Sequence, residues 1–324
     1  MIRSFVAYRP ISNLTSIVTE DHTNTPRLGA GRVMTAMGFA VLALAFASIF
    51  ITELERSAVP PLVIAFYRMA IATALMLPVA LAFKWKEIAS LARKDLGLMV
   101  LGGFCLAVHF GAWITSLKYV PIATSIVLVN SHPLFVVIAS YFFLGERPPR
   151  RGLIGTGIGL AGMAVMSHDA LGSVQLAMKG DGLALLGALA VVGYFIVGRK
   201  ARARISLLGY VTPLYAVCSL FLLIWVLMAG NRLAPYGAEV WAYLGALAVV
   251  PTIIGHTVFN WALKHVRPTA ISLAFLGEPV IASVLALIFF AQRPPLATFV
   301  GGALVLAGVY LTTSRDHAEP SAAP

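Results

Sequence analysis

Residues 133–162 read PLFVVIASYFFLGERPPRRGLIGTGIGLAG, and residues 279–308 read PVIASVLALIFFAQRPPLATFVGGALVLAG. Each stretch begins with proline, carries Arg-Pro-Pro at the same place and ends in Leu-Ala-Gly. The same offset of 146 residues relates Lys118 to Lys264 and Val120 to Val266, with no gap needed. A constant offset over about 45 residues indicates duplication of a structural unit. Within a membrane, a repeated unit is typical of a carrier.

The composition predicts a membrane protein. Of the 324 residues, 59% are hydrophobic and 11% are charged, with a mean hydropathy of +0.88. Soluble domains carry roughly 25% charged residues. The net charge of +11 does not indicate nucleic acid, because the basic residues lie in short loops, where they orient spans and meet anionic lipid. We therefore expect membrane lipid as a partner and no nucleic acid.

Apolar segments of about 20 residues predict ten spans. They cover residues 33–52, 62–83, 96–117, 121–144, 152–167, 182–198, 207–228, 240–263, 268–290 and 294–313. The predicted fold is an all-α integral membrane protein of ten transmembrane helices, arranged as two inverted five-helix repeats at 34–167 and 168–313. Residues 1–33 and 314–324 are predicted to be disordered cytoplasmic tails, and Met34 is an alternative start. Double prolines at 148–149 and 294–295 predict tight connectors.

The basic residues predict the orientation. An odd number of spans per repeat inverts the second copy, and Lys and Arg concentrate in cytoplasmic segments. With a cytoplasmic N-terminus, 18 of the 24 Lys and Arg residues lie inside, five lie outside and Arg68 lies within a span. We therefore predict a multi-pass protein of the bacterial inner membrane with both termini in the cytoplasm.

Ionisable residues within the spans are the candidates for function, because each is costly in hydrocarbon. They are Arg68, His109, His132, His256 and Glu278. The repeat maps position 132 onto position 278, and each precedes a proline near the middle of its span.

Pro133 and Pro279 predict kinks that expose backbone polar groups to a central cavity. Carriers place substrate at such a midplane site between inverted repeats. Trp113, Asn260 and Trp261 are predicted to line the pocket.

Structural alternatives remain for these residues. Arg68 and Glu278 form either a substrate or proton site or a buried ion pair, and Glu278 is alternatively neutral and hydrogen-bonded. A lone intramembrane histidine more often hydrogen-bonds across helices than titrates, and the aromatic residues also suit a packed core. Protons are one candidate coupling ion.

No phosphate-binding loop of the form G-x-x-x-x-G-K-[ST] is present, so the chain does not hydrolyse a nucleotide itself. Cys105 and Cys218 fall inside spans and are interpreted as apolar filler rather than a disulfide or metal site. We predict no metal and no cofactor.

Several motifs resemble the EamA family of the drug/metabolite transporter superfamily. They are YVPIA at 119–123, HPLF at 132–135, LGER at 144–147, GEP at 277–279, FYR at 66–68 and KHV at 264–266. The likeness covers residues 34–314 and implies a ten-span carrier of two inverted units that exports metabolites, amino acids or drugs. One departure is AQR at 291–293, where the family pattern has Gly-Glu-Arg, and it weakens any role for Glu146.

The functional hypothesis is a secondary transporter of a small organic solute that works by alternating access. The alternative is a channel-like protein, or a non-transporting scaffold or sensor. An intramembrane enzyme ranks last, since no nucleophile is paired with a base.

Overall fold

A computed structural model describes residues 30–120, 122–145, 150–167, 174–233, 235–290 and 296–313. All regular structure within these ranges is helical, which confirms the predicted all-helical class. Most of both predicted tails, the double prolines, Glu146 and Gln292 lie outside the described residues. The first helix begins at Ala30, three residues before the first predicted span.

The chain forms thirteen α-helices in the described ranges. In order they are α1 Ala30–Arg56, α2 Pro61–Ala89, α3 Arg93–Ser116, α4 Ile122–Val129, α5 His132–Leu144, α6 Arg150–Ser167, α7 Val174–Arg202, α8 Leu207–Met228, α9 Ala238–Leu247, α10 Thr257–Ala262, α11 Pro268–Ala274, α12 Glu278–Phe290 and α13 Leu296–Thr313. A π-helical segment, Ala248–His256, joins α9 to α10, and a 3-10 turn, Phe275–Gly277, joins α11 to α12.

Seven helices of the described chain are long and apolar enough to cross a membrane. They are Gly31–Arg56, Pro61–Ala89, Arg93–Ser116, Met178–Arg202, Leu207–Met228, Ala238–Ala262 and Pro268–Phe290. The other three predicted spans coincide with the interrupted pair α4 and α5, with α6 and with α13. Helices α6 and α13 have 18 residues each, just under the roughly 20 that a bilayer core requires.

Three of the helical paths are interrupted, each close to a proline. Helix α4 ends at Val129 and α5 begins at His132, next to Pro133. The 3-10 turn precedes Pro279, and the π-helical segment contains Pro251. Because proline has no backbone N–H, it leaves a carbonyl without its helical donor, and such breaks occur in membrane helices where they face protein or water.

Glycines allow α6 and α13 to pack backbone against backbone. A Cβ added at Gly162 would lie 2.5 Å from the Gly301 carbonyl oxygen, and one at Gly308 would lie 2.5 Å from that of Gly155. Real Cβ atoms essentially never approach so closely. Small residues at these positions are typical of close packing between membrane helices.

Candidate functional site

A small cavity lies where the interrupted helices meet the long ones. Its walls come from α1, α2, α3 and α7, together with the three interrupted segments. The lining residues are Leu44, Ala47, Arg68, His109, Trp113, Val129, Asn130, His132, Val191, His256, Phe275 and Glu278. About 20 Å³ is open to the centre of a water molecule. That suffices for about one water, whereas ligand pockets measure roughly 300 Å³ or more, so the cavity is too small for an organic solute.

Six of the eight predicted site residues line this one cavity. They are Arg68, His109, Trp113, His132, His256 and Glu278. Pro133 and Pro279 directly follow His132 and Glu278, at the two interruptions of the helical path. Asn260 and Trp261 are not part of the wall.

Arg68 lies fully buried on α2. Its Nε donates a hydrogen bond to Thr252 Oγ1 at 2.7 Å, and its Cζ lies 4.0 Å from the centroid of the Phe110 ring. Neither Nη1 nor Nη2 has a hydrogen-bond partner among the described residues. Because a buried cation is costly without partners, these two nitrogen atoms are open donors to water or to an anionic ligand.

Glu278 is the first residue of α12, directly after the 3-10 turn that begins at Phe275, and it is also buried. Asn130, which follows α4, lines the same cavity. The place of Glu278 in the first turn of a helix favours negative charge there. Among the ion pairs of the described chain, none joins Glu278 to Arg68. The two side chains therefore face a shared cavity instead of neutralising each other by direct contact.

The three histidines differ in their surroundings. His109 Nδ1 donates a hydrogen bond to the Gly187 carbonyl oxygen of α7 at 2.9 Å. In the neutral ring the proton is then on Nδ1 and Nε2 carries none. The ring of His132 contacts the rings of Phe195 and Phe275 at centroid distances of 5.7 and 5.4 Å. Within the described residues, Nδ1 of His132 has no hydrogen-bond partner.

His256 packs edge-on against Phe110 at 5.2 Å. Its Nδ1 likewise lacks a partner in the described part of the chain. His109 thus makes the hydrogen bond across helices that was expected from the sequence as the structural alternative to titration. His132 and His256 instead keep polar ring atoms at the cavity.

Asn260 belongs to a buried tyrosine cluster instead of the cavity wall. Its Nδ2 donates to the Tyr194 hydroxyl and, at 2.9 Å, to the His256 carbonyl, and it lies 3.4 Å from the Tyr215 hydroxyl. It lies one helical turn, about 6 Å, beyond His256 along α10. Trp261 points to another face and packs on His265 at 4.9 Å.

Two residues at Arg68 were missed by sequence reasoning. Thr252 holds its Nε, and Phe110 lies under its guanidinium. Signals for both were present: Thr252 follows a proline inside a span, and Phe110 lies 146 residues before His256.

One end of the helix bundle is held by a set of polar contacts that we call the clasp, formed by Glu87, Asp95, Arg199, Arg202 and Arg204. Glu87 Oε1 accepts from Ser206 N at 2.6 Å, which ties α2 to the start of α8. Arg204 pairs with Asp95 at 2.6 Å. Arg199 and Arg202 donate to the Leu263 and Asn260 carbonyls at 2.6 and 3.1 Å. These basic residues therefore satisfy the carbonyls at the end of α10, where positive charge is favourable.

The model of the EamA-like transporter family matches residues 33–168 and 178–314. A transporter of unassigned substrate from Archaeoglobus fulgidus is 24% identical over 79% of this chain and 89% of its own length. A probable terminal-alkyne amino-acid exporter of Streptantibioticus cattleyicolor is 28% identical over 68% of this chain and 74% of its own.

The pseudopaline exporter CntI of Pseudomonas aeruginosa is 26% identical over 78% of this chain and 86% of its own length. A crystal structure that is 19% identical in sequence matches the fold with a TM-score of 0.74, over 88% of this chain and 97% of that one. These matches confirm the family resemblance found in the sequence motifs. The chain belongs to the EamA-like transporter family and is a multi-span membrane transporter, not an enzyme.

Proposed function

We propose that this protein is a secondary transporter that exports a small amino-acid-like solute across the bacterial inner membrane by alternating access. The observation that carries the proposal is the small cavity that Arg68 and Glu278 both line. It places two open guanidinium nitrogen atoms and a carboxylate on the same small space.

The charges of the cavity favour a solute with both a carboxylate and an amine. A carboxylate binds an arginine through two parallel hydrogen bonds, which matches the open Nη1 and Nη2 of Arg68. An ammonium group would be bound by Glu278. The rings of Trp113 and Phe275 offer apolar surface to the body of the solute. The amino-acid exporter among the relatives supports this class of solute.

We propose ten spans in two inverted five-helix repeats. The helix bounds support this, since α2 and α8 begin at 61 and 207, and α5 and α12 cover 132–144 and 278–290. The offset of 146 recurs in each case. The same offset relates the glycine contacts between α6 and α13. Gly162 contacts Gly301, and their counterparts in the other repeat, Gly308 and Gly155, contact each other in the same way. The bias of basic residues supports cytoplasmic termini, and the clasp would then lie at the cytoplasmic end.

Alternating access requires the cavity to open first to one side and then to the other. The clasp joins helices at one end of the bundle, and its role in the proposal is to keep that end closed. The cavity itself is too small for an organic solute. The three interrupted helices provide places where helix segments can pivot. Glu278 is our candidate for proton coupling, because it is an acid at the shared cavity.

The test is an untargeted comparison of metabolites inside and outside cells that express the wild type, Glu278→Gln or no transporter. We expect an amino-acid-like solute to accumulate outside cells with the wild type, but not outside cells with Glu278→Gln or without the transporter. Glu239→Gln, an exposed residue at the start of α9, is the matched control and should behave as the wild type. Equal solute levels in all strains would refute transport and favour a scaffold or sensor.

A channel is the remaining alternative. Purified protein in liposomes distinguishes the two, since a carrier gives saturable counterflow and a channel gives unsaturated ion current. Ion current without counterflow would overturn the proposal.

A further inference from the structure

We propose that Thr252 is a positioning residue that fixes the orientation of Arg68, so that Nη1 and Nη2 face the cavity and select a carboxylate. The positioning role concerns this chain alone, and the selection of a carboxylate rests on the proposed function. Thr252 is fully buried in the π-helical segment and is itself absent from the cavity wall.

The guanidinium of Arg68 is held at two points. Thr252 Oγ1 accepts from Nε at 2.7 Å, and the Phe110 ring lies 4.0 Å from Cζ. The ring restricts the plane of the guanidinium, while the hydrogen bond fixes its rotation within that plane. Nε is thereby used by the protein, and the opposite edge with Nη1 and Nη2 stays open.

The local backbone fixes the direction of the Thr252 hydroxyl. Pro251 lacks the N–H that an α-helix would direct at the Leu247 carbonyl. The Thr252 hydroxyl donates to that carbonyl at 3.0 Å. Since a hydroxyl has one proton and two lone pairs, its proton is committed to Leu247 and a lone pair is left for Arg68. Arginine has no acceptor, so Nε can only donate, and the hydrogen bond to Leu247 turns a lone pair of the hydroxyl toward it.

Further hydrogen bonds anchor this part of the π-helical segment. Thr257 Oγ1 donates to the Thr252 carbonyl at 3.3 Å and lies 3.2 Å from the Tyr215 hydroxyl. Asn260 Nδ2 is 3.4 Å from the same hydroxyl. The Thr252 backbone is thus tied to α8 and α10, so the acceptor for Arg68 is held by a connected network.

This arrangement predicts selectivity for the charge of the solute. With Nε occupied, a carboxylate can approach only the Nη1 and Nη2 edge, where two parallel hydrogen bonds form. Without the Thr252 hydroxyl, Nε becomes a third open donor and the guanidinium can rotate over the Phe110 ring. Binding of a carboxylate should weaken, while binding of the corresponding amide should change little.

The direct test uses NMR of protein labelled with [15N]arginine in detergent, without any solute. The Arg68 Nε–H signal is identified by its absence in Arg68→Lys. In Thr252→Val, which keeps the side-chain shape and removes the hydroxyl, we expect exchange of this proton with water to be about tenfold faster. Thr252→Ser should restore the wild-type rate. Thr212→Val is the matched control, since this threonine is also buried and its hydroxyl has no partner within the described ranges.

The second readout is counterflow of L-phenylalanine and L-phenylalaninamide, chosen for the aromatic cavity wall. We expect Thr252→Val to raise KM for L-phenylalanine about tenfold, with KM for the amide unchanged and rescue by serine. Unchanged Nε–H exchange in Thr252→Val would overturn the positioning role, whatever the solute. A wild type that transports neither compound counts against the proposed solute class alone, because the NMR comparison decides the positioning role.

Discussion

Replacing Gly162 with alanine should separate α6 from α13. The added Cβ would lie 2.5 Å from the Gly301 carbonyl oxygen and 2.8 Å from Leu304 Cβ and Val305 N. Ordinary contact begins at 3.4 Å, so the shortest of these distances is about 0.9 Å too small. Two of the three opposing atoms are backbone, which cannot rotate away, and the helices must move apart.

The expected cost follows from two opposing terms. Overpacking of this kind costs about 1–3 kcal/mol. Alanine in place of glycine stabilises a helix by about 1 kcal/mol, which offsets part of this cost. The net destabilisation relative to the wild type is therefore about 0–2 kcal/mol. Gly308→Ala should behave similarly, because its Cβ would lie 2.5 Å from the Gly155 oxygen and 2.7 Å from Gly159 N.

The assay is the apparent melting temperature of purified protein in detergent, followed by tryptophan fluorescence at one fixed heating rate. Gly157→Ala is the matched control on α6, since nothing lies within 4 Å of its added Cβ. We expect the control to melt at or above the wild-type temperature and Gly162→Ala to melt below it. If Gly162→Ala were as stable as Gly157→Ala, the close packing of α6 on α13 would be wrong.

Three further predictions concern the clasp and its surroundings. Arg202→Gln removes the donor to the Asn260 carbonyl, so we expect N-ethylmaleimide to label the buried Cys218 several-fold faster. Arg93→Gln, at an exposed position, is the control and should leave the labelling rate unchanged. Equal labelling rates in the two variants would contradict a closing role for the clasp. The pKa of His265 lies below its ordinary 6.5, first because the ring is partly buried and then because it is near the positive charges of Lys264, Arg202 and Arg199. As the pH falls, the His265 imidazole is therefore protonated in the unfolded chain before it is protonated in the folded chain. The free energy of unfolding keeps its full value above pH 6.5 and decreases as the pH falls below it. His265→Gln should reduce the drop in melting temperature between pH 7.5 and 5, and an identical drop would refute this. Asn260→Ala should destabilise the protein by about 1–3 kcal/mol, because the Tyr194 and Tyr215 hydroxyls lose a partner, while Trp261→Phe should melt close to the wild type.

Sequence reasoning located most of the cavity because charge within a span has few explanations. Arg68 and Glu278 were found on that ground, and the repeat with its prolines singled out His132. Trp113 was included as an aromatic residue that suits a pocket, and it does line the cavity.

The remainder depends on contacts between distant segments. Asn260 and Trp261 were expected at the cavity, yet their positions depend on how α10 turns after the π-helical segment. Thr252 is an ordinary polar residue until Arg68, 184 positions away, is placed beside it. Arg202 was counted as a loop charge, whereas it is buried and bonds to the end of α10. Periodicity and composition do not report such pairings.

The central claim is that Arg68 and Glu278 bind the transported solute. The most direct measurement is counterflow of the solute found in the metabolite comparison, using proteoliposomes with wild type, Arg68→Gln or Glu278→Gln and equal amounts of inserted protein. We predict a loss of at least about tenfold in Vmax/KM for each variant, with Arg93→Gln and Glu239→Gln unchanged. Counterflow that persists at the wild-type rate in both cavity variants would contradict the claim.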